Sequence, residues 1–299
     1  MSGSIRPALY SGAFWLALGT GGQKILGLGA RIVLARLLFP EDFGVFAMAA
    51  FAYELAALWS GMGTSQYVVS AKDQDFNPNA AFRVNLAFAF TLALLLSLAA
   101  PVAARFFGEP DLRMYVPVLA LSLPLGALGA VNGSLLLRDL RMDAVERRRF
   151  LVEALAVTLM ISLAAAGAGV WALIVPVPVR NLATSIMNLR LHPWRPSRGP
   201  AAGAGNVLRY GSHILGSRLA KFLGDQLDNA AVGRVLGSGA LGIYDFGYQA
   251  ATMPARWVGD VANRLAFPAL AHRARHPLAG GNAPAFLRIS RWMVFLAGP

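Results

Sequence analysis

Apolar runs about twenty residues long recur along this chain, and they leave it few ways to fold. A run of that length crosses the hydrocarbon core of a bilayer as a helix. We read eight such spans, at residues 12–37, 43–66, 82–104, 114–137, 150–168, 170–189, 207–236 and 241–268, with a ninth opening near Phe286. Hydrocarbon offers no partner to backbone polar groups, so each span must pair its own and is a helix. A transmembrane barrel would show short alternating segments instead. Composition agrees: mean hydropathy is +0.53 and only 14% of residues are charged, against about 25% in a soluble domain. The expected fold class is all-α, a polytopic membrane helical bundle.

The formal charge of +12 could suggest nucleic acid, but topology accounts for it. Lys and Arg favour cytoplasmic loops. With the N-terminus inside, the cytoplasmic segments hold 17 of the 27 Lys and Arg, and the outside turns hold four: Arg36, Arg105, Arg113 and Arg234. The basic loops then face anionic headgroups, and the expected partners include membrane lipids and no nucleic acid. The outside turns are short, at residues 39–42, 108–111, 166–169 and 237–240. The first apolar stretch is too long for a cleaved signal peptide and is interrupted by Lys24 and Arg31. There is no cysteine, which excludes disulfides and Cys-ligated metals.

The chain also echoes itself. Residues 35–46, ARLLFPEDFGVF, return 198 positions later as GRVLGSGALGIY. At that offset Arg36 meets Arg234, Leu38 meets Leu236, Gly44 meets Gly242 and Trp59 meets Trp257, among 7 identities in 26 ungapped positions. Two related halves with a site between them are a common plan for transporters. The Pro- and Gly-rich stretch 191–206 reads as a linker. The expected division is a lobe of six helices over 1–190, a cytoplasmic linker over 191–206, and the start of a second, truncated lobe over 207–299.

Charged side chains within spans are costly and usually face a cavity or a partner. In the seventh span Arg218, Lys221, Asp225 and Asp228 are spaced i, i+3, i+7 and i+10, which puts them on one helical face. Lys24 and Arg31 share a face of the first span. These six, with Arg180 of the sixth span, are the candidate substrate-binding residues. Glu54 and Asp260 are candidates for ion coupling, because a buried carboxylate takes up a proton or cation readily. A structural reading stands beside each: Lys221 pairing with Asp225, Lys24 snorkelling, Glu54 and Asp260 bridging to an Arg. GTGGQK at residues 19–24 lacks the Lys-Ser/Thr ending of a phosphate loop. The four His have no metal spacing. No nucleophile–base constellation stands out, so neither an enzyme nor a cofactor or metal is expected.

Seven stretches carry a family resemblance: ARLLFPEDFGVFA (35–47), FFGEPDLR (106–113), GVWALI (169–174), HPWRP (192–196), RYGSHILGSRL (209–219), LDNAAVGRVLGSGALGIYDFGYQ (227–249) and FPAL (267–270). Together they resemble the Wzx-type polysaccharide flippases, for O-antigen and exopolysaccharide, of the multidrug/oligosaccharidyl-lipid/polysaccharide exporter superfamily. That resemblance implies twelve to fourteen helices in two lobes around a cavity. It implies transfer of an undecaprenyl-pyrophosphate-linked oligosaccharide across the bacterial inner membrane, with other polysaccharide-assembly membrane proteins as partners. The alternatives are a multidrug or small-molecule exporter of the same superfamily, and a truncated, non-transporting component of polysaccharide assembly.

Overall fold

The computed structural model describes residues 21–23, 25–60, 64–70, 77–197 and 204–275; within the last stretch, side chains are described at 216 and 218–252. Its described residues form helices and no strand. Helix α1 covers residues 25–37. It is followed by α2 (Pro40–Trp59), α3 (Thr64–Ser70), α4 (Pro78–Phe107), α5 (Leu112–Ala120), α6 (Ser122–Arg138), α7 (Met142–Ala165), α8 (Trp171–Ile174), α9 (Pro176–Leu191) and α10 (Ala204–Arg275). Among the described residues, four helical stretches are long and apolar enough to cross a membrane: Pro40–Trp59, Pro78–Phe107, Leu112–Arg138 and Trp171–Leu191.

Three predicted spans are divided. The span read over 43–66 ends as a helix at Trp59, and Thr64–Ser70 is a separate short helix. The span read over 114–137 breaks at Leu121, between Pro117 and Pro124. The span read over 170–189 breaks at Val175, immediately before Pro176. The last two divisions lie at prolines, which remove a backbone donor and clash with the preceding turn; Leu121 and Val175 keep right-handed helical backbone, and both spans run on as single apolar stretches, Leu112–Arg138 and Trp171–Leu191. The ninth span lies outside the described residues.

The break between α1 and α2 has a local cause. Pro40 takes the first helical position, where its missing N–H costs nothing. Asp42 Oδ2 accepts from the Phe39 backbone N–H at 3.0 Å. Helix α10 breaks at Gly237, whose φ of 82° and ψ of −177° lie in a region that is essentially Gly-only. The chain reverses there. Tyr244 donates to Asp228 Oδ2 at 2.6 Å, and Asn229 Nδ2 donates to Asp245 Oδ1 at 3.4 Å. Residues so spaced lie about 24 Å apart along a straight helix, so residues 204–236 and 238–275 are the arms of a hairpin.

The two reversals fall at equivalent points of the repeat, since Phe39 and Gly237 are 198 positions apart. The glycines that follow them are used reciprocally. A Cβ built on Gly44 would stand 1.7 Å from the Ser238 carbonyl oxygen, and one on Gly242 would stand 1.9 Å from the Pro40 carbonyl oxygen. Pro40 and Ser238 are themselves repeat equivalents. Glu41 and its equivalent Gly239 face each other, with Glu41 Oε1 3.3 Å from a Cβ placed on Gly239. Equivalent residues touching one another are the mark of a local two-fold relation.

All four predicted outside turns gather at this end. Arg234 lies over the Phe106 ring at 5.8 Å, beside Gly108, which ends α4 in the left-handed conformation. A Cβ on Gly169 would stand 3.3 Å from Asp42 Oδ1. The predicted cytoplasmic segments meet at the opposite end. There Arg138 donates to Val68 O at 2.7 Å, Asn132 to Trp194 O at 2.8 Å and Arg83 to Ser197 O at 3.1 Å.

Between the ends, small residues face inward and large ones outward. On α4 the buried positions are Asn85, Ala89, Ala93, Leu96, Ala100 and Ala104, while Phe90, Leu94, Leu95, Leu98 and Val102 are exposed. Such a surface suits lipid, and the alanine stripe lets helices approach closely. Helices α6 and α9 meet through Gly129 and Gly133, where a Cβ would stand 2.4 Å from Ser185 Cα and 2.6 Å from Asn188 Nδ2. Asn188 also holds Arg148, in the polar first turns of α7. Burial, then the neighbouring Arg149, lowers the Arg148 guanidinium to about 10.

Candidate functional site

Away from the clasped turns, α2 and the outgoing arm of α10 separate around connected cavities. One holds about 380 Å³ and is lined by Glu54, Ala57, Leu58, Arg218, Lys221, Phe222, Asp225 and Gln226. A second, of about 190 Å³, shares Arg218 and is lined mostly by polar residues, among them Thr64, Ser65, Gln66, Asn85 and Ser134. A third, of about 290 Å³, lies nearer the turns and shares Glu54 and Gln226. Its other lining includes Phe46, Phe51, Tyr53, Arg180, Asn229, Asp245 and Gln249. Gln226 Nε2 donates to Glu54 Oε2 at 2.9 Å, a polar bar between the first and third compartments.

The helical spacing brings Arg218, Lys221 and Asp225 together as predicted. Lys221 pairs with Asp225, the pairing of the structural reading, yet both side chains stay open, at 75% and 43% exposure. The two cations therefore line a solvent-reachable mouth. Asp228 turns instead to the returning arm, accepting from Tyr244 and from the Asn229 backbone N–H. Arg31 reaches the third cavity indirectly, by donating to Gln249 Oε1. Arg180 lines that cavity, and its buried Nε is ion-paired with Glu153 Oε2 at 3.7 Å without making a hydrogen bond. Glu54 belongs to both compartments. Lys24 lies outside the described residues, as does the side chain of Asp260.

Sequence reasoning missed Gln226, Asn229, Asp245 and Gln249. Asn229 Nδ2 donates to Gln226 Oε1 at 2.9 Å and to Asp245 Oδ1, and Gln249 Nε2 donates to Asp245 Oδ2. Their signal was present. Residues 226 and 229 are an i, i+3 pair, 245 and 249 an i, i+4 pair, and each pair stacks polar groups on one face. Charge spacing alone does not single them out, because three of the four are uncharged amides. Among the described residues no group of three or more His, Cys, Asp or Glu is arranged to hold a metal ion.

Cations at an open mouth, with amides and carboxylates behind an aromatic wall, suit a polar, partly anionic ligand taken into a membrane bundle. The chain is similar to the succinoglycan biosynthesis transport protein ExoT of Rhizobium meliloti (strain 1021), 29% identical over 85% of this chain and 52% of that protein. It is also similar to the lipopolysaccharide biosynthesis protein WzxC of Escherichia coli (strain K12), 23% identical over 90% of this chain and 55% of that one. The teichuronic acid biosynthesis protein TuaB of Bacillus subtilis (strain 168) is likewise 23% identical, over 90% and 56%. The chain thus spans about half the length of these curated relatives. No solved structure matches it. The polysaccharide biosynthesis protein family model matches residues 33–295, and the chain, a multi-pass α-helical membrane protein, belongs to that family.

Proposed function

We propose that this protein moves a lipid-linked oligosaccharide across the membrane, with the cavity between the two hairpins receiving its polar head. The observation that carries this reading is the pair Arg218 and Lys221 at an open mouth, one helical turn apart in a bundle whose outer surface is apolar. Cations in such a place attract a phosphate-bearing head, and an apolar outer surface leaves a polyprenyl tail in lipid. The relatives named for succinoglycan, lipopolysaccharide and teichuronic acid support a polysaccharide substrate. On this reading the protein is a transporter and not an enzyme, residues 1–190 form one lobe, 191–206 link it to the next, and the clasped turns close the outer side.

The decisive experiment is export of surface polysaccharide by cells whose only copy carries Arg218→Ala or Lys221→Ala. Each change should lower export about ten- to a hundredfold, the worth of one hydrogen bond to a charged group, at normal protein abundance. Unchanged export would remove these residues from the substrate path. Arg218→Lys refines the result, since Arg engages phosphate through two parallel bonds and Lys as a point charge. Orientation is tested separately. Cysteines at Asp42 and Ser238 should label from outside intact cells and one at Arg147 should not, and the reverse pattern would invert the topology.

A further inference from the structure

We infer that the compartment nearer the turns is a sugar subsite that reads hydroxyl groups of the glycan residue next to the phosphate, through Asn229, Asp245 and Arg180. The inference rests on the lipid-linked reading and adds which part of the head sits where. Asn229 is 6% exposed, and its Oδ1 has no hydrogen-bond partner although its Nδ2 has two. In the same cavity the Nε of Arg180 faces Glu153 Oε2 at 3.7 Å, an ion pair too long for a hydrogen bond. A buried polar atom without a hydrogen bond is costly, so the orphan Asn229 oxygen places the stronger demand on a ligand and the Arg180 Nε, already charge-paired, the weaker. One demand is for a donor and the other for an acceptor, and a hydroxyl group meets both.

A bound cation meets only the first. Arg180 on the cavity wall and Arg31 bonded to Gln249 would oppose it. A second phosphate meets only the other, and Glu54 and Asp245 would repel it. The walls fit a pyranose. Phe46, Phe51 and Tyr53 offer apolar faces to its C–H surfaces, and the volume of about 290 Å³ is near the lower end for small-molecule pockets, roughly 300 Å³. The order of compartments fits as well. Phosphate held at the Arg218–Lys221 mouth places the first sugar beyond the Glu54–Gln226 bar.

The test measures binding by the whole protein in lipid nanodiscs. One probe is farnesyl pyrophosphate. The others are farnesyl pyrophosphates bearing glucose, galactose or N-acetylglucosamine. The wild type should bind at least one sugar-bearing probe about tenfold more tightly than the bare one, the value of one to two hydrogen bonds. Asn229→Ala should erase that advantage and leave the bare probe's affinity unchanged, whereas Arg218→Ala should weaken all probes. Should Asn229→Ala bind neither kind, Asp245→Asn decides by the same criterion. Equal wild-type affinity for bare and sugar-bearing probes would overturn the sugar subsite while leaving the phosphate reading intact. Absence of binding to every probe would overturn both. Replacing potassium with sodium should change nothing. A sodium-dependent gain that Asn229→Ala removes would assign the orphan oxygen to a cation and overturn the proposal.

Discussion

The two repeat-related hairpins meet in opposite ways at their two ends. At the turns they are reciprocal: Gly44 lies against the Ser238 carbonyl, Gly242 against the Pro40 carbonyl, and Glu41 against Gly239. Around the cavity they are not. Glu54 corresponds to Thr252, Ala47 to Asp245, Leu28 to Gln226, Arg31 to Asn229 and Phe51 to Gln249. The difference follows from what touches what. Where the turns clasp, each copy must admit the other's backbone carbonyl at one point, so glycine recurs at 44 and 242 although neighbouring equivalents differ. Where both copies face a ligand that lacks two-fold symmetry, each position diverges to suit its side.

The largest effect should come from breaking the reciprocal end. Gly44→Val and Gly242→Val each place side-chain atoms where a backbone carbonyl stands, 1.7 and 1.9 Å from a Cβ. Overpacking of that kind costs about 1–3 kcal/mol or more. Each should abolish a disulfide between cysteines introduced at Glu41 and Gly239 and lower the unfolding temperature by several degrees. The two should do so equally. Unequal losses would mean that the apparent two-fold is accidental.

A smaller effect is expected from making the cavity more symmetric. Glu54→Thr installs the other copy's residue and removes the acceptor of Gln226. Export should fall about tenfold with the Glu41–Gly239 cross-link still forming. Loss of the cross-link as well would mean that the two ends are not separable. The smallest effect belongs to Asp225→Asn. It breaks the bridge to Lys221, whose partners are 75% and 43% exposed, and exposed pairs contribute about 0–1 kcal/mol. The unfolding temperature should barely move. A marked drop would return the pair to a structural role and weaken its place in the substrate mouth.

Sequence periodicity alone was enough for the helical class, for the gathering of the short turns at one end, and for the shared face of Arg218, Lys221 and Asp225. These are local or compositional properties: apolar length, turn chemistry, and a spacing of three and four residues per turn. The prolines at 117, 124 and 176 were equally visible, and they mark local interruptions within two spans that still run as single apolar stretches. What only the tertiary structure decided is which helix each polar face meets. Nothing in the order of residues says that Gln226 bonds to Glu54 or Arg31 to Gln249, 172 and 218 positions away. Those pairings depend on how closely two hairpins approach, and the approach is set by two glycines whose missing side chains let backbone touch backbone.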